Sequence, residues 1–165
     1  MNENYIVING KKIELTEEQL KQLGIEQEKK RKNPFERVSE GEVYFLAGYD
    51  KTDRSREANE WIDEDLFAAA NYFNDEAFAE QVALHQLLYR KLLKFAYDNG
   101  FEDTVWNNQN DHWYIFYNYA DDRFKCQCND GCKSQNVYFL SADAASRAIK
   151  EVVEPFMKEH PEFVW

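Results

Sequence analysis

The sequence predicts an α+β fold in which a long central helix and a C-terminal helix pack on an antiparallel sheet, preceded by an N-terminal β-hairpin and a short helix. Three observations support it: an Asn-Gly hairpin signal near the N-terminus, an apolar repeat of helical period over residues 75–98, and three aromatic-rich segments after residue 111. The chain has 165 residues, of which 44% are apolar and 16% aromatic. This composition excludes an intrinsically disordered chain and is typical of one compact core.

Residues 1–33 are predicted to form an arm, separate from a body at residues 34–165. Asn9-Gly10 lies between two β-rich segments and accepts the positive φ values of a type I′ turn, so a two-residue hairpin is expected. Thr16, with Gln19 three residues later, is a capping-box pattern that predicts a short helix after the hairpin.

A charged run at residues 26–33 separates this helix from the body. It contains the basic cluster Lys29-Lys30-Arg31-Lys32 and is followed by Pro34. We interpret the run as a solvated linker, and a contact of its basic cluster with nucleic acid is the alternative.

The body is predicted to begin with a short strand. Residues 43–47, Val-Tyr-Phe-Leu-Ala, have strand composition, and the polar segment at residues 49–56 predicts a loop. The acidic segment from Glu57 to Asp65 interleaves apolar side chains with carboxylates, a spacing that fits an amphipathic helix or a strand and turn. In either case we expect its acids to face solvent.

The central helix has the clearest boundaries in the sequence. Asn74 or Asp75 can cap its start, and Asn99-Gly100 closes it after Asp98. Apolar residues recur between them at intervals of three and four, which predicts the core helix. His85 lies beside this stripe and is expected to be packed and hydrogen-bonded rather than catalytic.

Three segments after the central helix predict an antiparallel meander. They are residues 112–119, 123–128 and 136–140. Alternation places aromatic side chains on both faces of the first. Ser141 is the expected N-cap of a closing helix, which Pro155 is expected to kink or end.

A cysteine cluster is the first candidate for chemistry. Cys126, Cys128 and Cys132 form a C-x-C-x3-C pattern to which His112 could add a fourth ligand. Structural zinc sites have paired C-x2–4-C knuckles, and C-x-C within a strand directs its thiolates to opposite faces. We therefore expect free thiols in a reducing compartment, with no metal and no cofactor.

The acids are the second candidate, because Asp50, Asp53, Asp63 and Asp65 could hold a divalent ion or act as acid and base. The chain lacks EF-hand spacing, a Gly-rich phosphate loop and a nucleophile elbow. The sequence therefore predicts no enzyme.

The aromatic sheet is the third candidate. Exposed Tyr114, Phe116 and Tyr138 would stack on unpaired bases in a single-strand nucleic-acid-binding module. Such platforms come with a basic groove, and this segment offers few bases. Core packing is the preferred interpretation, with the binding module as the alternative.

The negative charge of the chain is the feature that best indicates the kind of partner. The net charge is -11, and the stretch from Glu40 to Glu80 carries twelve acids against three bases. This disfavours direct nucleic-acid binding and anionic membranes, since phosphate binding requires Lys and Arg, and it favours a basic protein. The expected contacts are Glu57, Glu60, Asp63, Glu64 and Asp65, with Asp50, Asp53, Asp75 and Glu76 as a second group.

Short stretches of the body carry a resemblance. Residues Asn33-Pro34-Phe35-Glu36-Arg37-Val38, Tyr44-Phe45, Asn71-Tyr72-Phe73-Asn74-Asp75 and the closing Pro161-Glu162-Phe163-Val164-Trp165 are similar to small proteins of phages and mobile elements of Gram-positive bacteria. The resemblance brings no catalytic residues with it. It implies a setting in which small acidic phage proteins act against host defences, including CRISPR effector nucleases.

The resulting hypothesis is an anti-CRISPR type inhibitor in the host bacterial cytoplasm. Its acidic surface would mimic nucleic acid and occupy the arginines of a nucleic-acid-processing effector. The alternative is a phage accessory or structural protein that forms a homodimer through exposed aromatic side chains, with acids that only maintain solubility.

Overall fold

A computed structural model describes most of the chain. The described residues are 5–8, 11–14, 33–102, 106, 110–129 and 131–165. The chain divides into two compact units, Met1–Asn33 and Pro34–Trp165.

The first unit contains a β-hairpin. Strand β1 (Tyr5–Ile8) pairs antiparallel with β2 (Lys11–Glu14), and Ile8 lies opposite Lys11, so two residues connect the strands. The hairpin predicted from Asn9-Gly10 is thereby confirmed. The helix predicted from Thr16 and the basic cluster Lys29-Lys30-Arg31-Lys32 lie outside the described residues.

The second unit combines two hairpins with four helices among its described residues. In chain order the elements are β3 (Val43–Ala47), β4 (Thr52–Arg56), α1 (Trp61–Ala68), α2 (Glu76–Asp98), β5 (Trp113–Asn118), β6 (Arg123–Cys128), α3 (Ala142–Ala148) and α4 (Glu154–Glu159). Strands β3 and β4 form one two-stranded antiparallel sheet, and β5 and β6 form another. The predicted α+β class, with its central and C-terminal helices, is confirmed.

Strand β4 replaces the loop predicted at residues 49–56. Thr52 pairs with Ala47, and Arg56 pairs with Val43. The strand is polar and mostly exposed, and its backbone makes the pairing with β3. Its sequence therefore lacks the alternation of apolar and polar residues that would have predicted a strand. Gly48 makes the tight turn possible, because a Cβ atom there would lie 2.6 Å from the Lys51 carbonyl oxygen.

Helix α2 follows the predicted boundaries closely. The Asp75 side chain caps it by accepting a 2.9 Å hydrogen bond from the Phe78 backbone N–H, and Gly100 follows its end with a φ of 82°. Its buried stripe is Ala79, Ala83, Leu84, Leu88, Leu92 and Ala96. His85 is exposed rather than packed in the core, because it lies outside this stripe, and its ring contacts Phe163.

The predicted third strand of the meander is not a strand. Trp113 and Phe139 form one isolated bridge, in which the Phe139 backbone N–H donates to the Trp113 carbonyl at 2.7 Å. Val137, Tyr138 and Phe139 are all buried, so this segment contributes consecutive side chains to the core instead of alternating between two faces.

The C-terminal helical segment does not end at Pro155. Ser141 caps α3 by accepting a 3.1 Å hydrogen bond from Ala144, as expected. The backbone then widens into a π-helical turn at Ile149–Val153, where the Glu154 N–H donates to the Ile149 carbonyl five residues earlier. Proline has no N–H and its ring crowds the preceding turn, and this wider turn immediately before it lets α4 continue.

The largest apolar core lies between α2, β5 and the C-terminal helices. It includes Leu88, Leu92, Ile115, Phe139 and Phe156. In the described part of the chain, no helix is long and apolar enough to cross a membrane.

Candidate functional site

The acidic segment contains both buried and exposed carboxylates. Glu57 is 1% exposed and Asp63 is 2% exposed. Glu60, Glu64 and Asp65 are exposed. The expectation that all five acids face solvent is therefore wrong for Glu57 and Asp63, which cannot contact a partner in this fold.

Both oxygens of the buried Glu57 carboxylate accept hydrogen bonds. Arg37 forms a bidentate pair with it, Nε to Oε2 at 2.9 Å and Nη2 to Oε1 at 3.0 Å. The Tyr72 hydroxyl donates to Oε2 at 2.7 Å, and the Asn59 backbone N–H donates to Oε1 at 2.8 Å. A buried charge is tolerated only with a partner of this kind and with its remaining lone pairs satisfied.

Asp63 joins the start of α1 to the turn before it. Its Oδ2 atom accepts 3.0 Å hydrogen bonds from the backbone N–H groups of Ala58 and Glu60. Its Oδ1 atom accepts from the Tyr44 hydroxyl at 2.7 Å. Because Asp63 is the third residue of the helix, the bond to Glu60 has the geometry of a capping box.

Two stacked tyrosines connect these carboxylates. The rings of Tyr44 and Tyr72 are 4.0 Å apart and 14° from parallel. The Tyr72 oxygen also accepts a 3.3 Å hydrogen bond from the Val38 N–H. The network of Arg37, Tyr44, Glu57, Asp63 and Tyr72, here called the carboxylate network, therefore fixes α1 against β3 and the segment before it.

The carboxylate network holds its acids ionised and its phenols neutral. The hydrogen bonds from Arg37 lower the pKa of Glu57 below its ordinary 4.5, and the hydrogen bond from Tyr44 lowers that of Asp63 below its ordinary 3.8. Burial raises the pKa of Tyr44 and of Tyr72, and the hydrogen bonds they donate to carboxylates raise it further. Both carboxylates therefore carry full charge at neutral pH.

These lowered pKa values predict acid sensitivity. A carboxyl whose pKa is lower in the folded than in the unfolded state stabilises the fold at pH values above its unfolded pKa. This contribution is lost as the pH falls through the folded pKa, so the free energy of unfolding should decline below about pH 5. Glu57→Gln should weaken this decline. Urea midpoints measured at several pH values would show it, with Glu64→Gln at an exposed carboxylate as the control. Equal acid slopes in wild type and Glu57→Gln would contradict the assignment.

The exposed acids among the predicted contacts form two groups. Glu60, Glu64 and Asp65, here called the α1 acids, lie on α1 and its N-cap, and Arg37 Nη1 holds Glu64 at 2.9 Å. The second predicted group lies elsewhere. Asp50 is in the β3–β4 turn, Asp53 is on β4, and Asp75 and Glu76 are at the start of α2.

The structure brings part of this second group together. Asp53 and Glu76 line one shallow depression with Lys51 and Arg54, so basic side chains interrupt the charge there. The turn that contains Asp50 is at the opposite end of β4 from Glu57. The α1 acids lie on one helix and its N-cap, and they are thus the more compact acidic surface.

Ten of the twelve acids in the stretch Glu40–Glu80 are exposed, against three exposed bases, so it remains strongly acidic after Glu57 and Asp63 are subtracted. No local sequence pattern marked Arg37, Tyr44 and Tyr72 as functional positions. Their buried carboxylate partners are 15 to 20 residues away in the chain, a separation at which no local pattern identifies a contact.

The cysteine cluster and the aromatic sheet do not form the sites considered for them. Cys126 and Cys128 are half-buried, Cys132 is exposed, and none of the three forms a disulfide bond. No group of three His, Cys, Asp or Glu side chains suited to a metal ion occurs among the described residues. Tyr138 is buried, with its hydroxyl on Ser134, so it does not form the exposed stacking platform considered above.

Comparison with known proteins adds no family to this description. No family model matches the chain, and no curated protein or solved structure is significantly similar to it. The fold and the site thus define an α+β protein with an acidic helix fixed by buried carboxylates.

Proposed function

We propose that this protein binds a basic, nucleic-acid-binding protein through the α1 acids and acts as an anti-defence inhibitor. The observation that supports the proposal is the combination of exposed carboxylates with a helix fixed by the carboxylate network. Carboxylates form strong, oriented contacts with arginine, and a fixed surface loses little entropy on binding.

The proposed partner is a CRISPR effector nuclease or another defence protein that handles nucleic acid. Such effectors hold their guide and target in a positively charged channel. The α1 acids would bind cationic side chains of that channel in place of phosphates. The second group, Asp50, Asp53, Asp75 and Glu76, would add contacts at the edge, while Glu57 and Asp63 would act only by supporting α1.

Salt dependence tests this proposal. The tagged protein is incubated with a bacterial lysate that contains CRISPR effectors and washed at about 0.1 M and then about 1 M NaCl, which shortens the Debye length from about 10 Å to about 3 Å. Mass spectrometry should identify a nucleic-acid-processing protein that is retained at low salt and released at high salt.

Two results would overturn the proposal. One is the absence of any salt-sensitive partner. The other is recovery, at high salt, of phage structural proteins or additional copies of this chain, which would support the self-associating accessory protein instead, because apolar interfaces persist in salt.

A further inference from the structure

Helix α1 exposes a tryptophan beside its acids. Trp61 is the first residue of the helix and is 72% exposed, and its neighbour Ile62 is 43% exposed. Tryptophan is among the residues most enriched at the energetic centres of protein interfaces, and an exposed one costs solvation unless a partner covers it. This side chain has no role in the carboxylate network.

The carboxylate network directs Trp61 outwards. Asp63 is two residues further along, about 200° around the helix axis, and its hydrogen bonds hold it in the interior. Leu66, on the same side as Asp63, packs against the cluster of Tyr44 and Tyr72. Trp61 therefore lies on the face of α1 opposite the carboxylate network.

Two exposed acids share the outer face of α1 with Trp61. Glu64 and Asp65 are three and four residues after Trp61, so their Cβ atoms lie about 5–6 Å from that of Trp61, one on each side of its direction. Ala68 lies two turns after Trp61 on the same face and is too small to reach the ring. Glu64 is anchored by Arg37 and still has a side chain that is 66% exposed.

We propose that Trp61 imitates an unpaired base and that Glu64 and Asp65 imitate the phosphates beside it, so that the partner site is a single-strand nucleic-acid-binding groove. This inference rests on the proposed function and specifies its partner. Single-strand-binding grooves combine cationic side chains with aromatic rings on which bases stack, whereas contacts to a duplex backbone need only the cations. An exposed aromatic ring on the same helix face as two exposed acids complements the first kind of site in both shape and charge.

Competitive elution tests the inference. The partner captured at low salt is eluted with an oligothymidylate of about 20 nucleotides or with a duplex of about 10 base pairs, which has a similar phosphate content, and the oligothymidylate should act at a concentration at least about tenfold lower. Trp61→Ala should reduce retention of the same partner by about tenfold or more, as expected for loss of one stacking contact.

Matched variants separate stacking from general effects. Tyr49→Ala removes another aromatic side chain, 89% exposed, and should leave retention unchanged. Trp61→Tyr keeps a stacking ring and should retain more partner than Trp61→Ala. Unfolding midpoints of the Trp61 variants should match that of the wild type.

Each failure has a distinct meaning. If no salt-sensitive partner is captured, the proposed function fails and this inference fails with it. If a salt-sensitive partner is captured but Trp61→Ala retains it fully, or if both oligonucleotides elute it equally, only the single-strand inference is overturned.

Discussion

Replacement of Glu57 by alanine is expected to lower the free energy of unfolding by about 1–3 kcal/mol, because the buried Tyr72 hydroxyl and the Asn59 backbone N–H lose their acceptor, while the partly exposed Arg37 keeps its bond to Glu64. The variant leaves the Arg37 guanidinium without its bidentate acceptor and the Tyr72 hydroxyl without its carboxylate. Since these bonds tie the segment before β3 to the turn before α1, the loss should affect the whole second unit.

Urea denaturation of Glu57→Ala and of Glu64→Ala would measure this effect. Glu64→Ala is the matched control, because it removes a carboxylate bound to the same Arg37 from an exposed position, where an ion pair is worth about 0–1 kcal/mol. Equal losses from Glu57→Ala and Glu64→Ala would contradict the distinction between a buried structural acid and an exposed one.

Reversal of the α1 acids, by Glu60→Lys, Glu64→Lys and Asp65→Lys together, is expected to abolish partner binding, with a loss above about 100-fold. Truncation of one partner of an interfacial charge pair already costs about 2–5 kcal/mol, and reversal adds repulsion against a cationic site. Asp63 is left unchanged because it is buried in the carboxylate network, and a lysine there would disrupt the fold rather than test the surface.

A second triple variant controls for total charge. Glu102→Lys, Glu154→Lys and Glu159→Lys together change the net charge equally at exposed positions outside the acidic stretch. Binding titrations at low salt should show full affinity for this control. If both triple variants lose affinity equally, binding depends on net charge alone, and if the α1 variant keeps its affinity, the α1 acids are not the site.

The acidic surface could be predicted from the sequence only in part. The excess of acids between Glu40 and Glu80 is evident from composition, and so is the presence of Trp61 among them. Neither periodicity nor charge distinguishes Glu57 and Asp63 from Glu60, Glu64 and Asp65, because all five occur in one short polar segment. Their separation depends on whether an arginine or tyrosine from elsewhere in the chain reaches each carboxylate.

The sequence by itself determined the local features of this protein: the two-residue hairpin at Asn9-Gly10, the start of α2 at Asn74 or Asp75, the cap Ser141, and the long apolar stripe of α2. These depend on interactions between residues at most four apart, or on a repeat along one helix. Only the tertiary structure decided that the polar residues of β4 pair as a strand and that residues 137–139 enter the core without forming one. It also decided which acids are buried and that Trp61 faces outwards, because hydrogen bonds between residues distant in the chain set the orientation of α1.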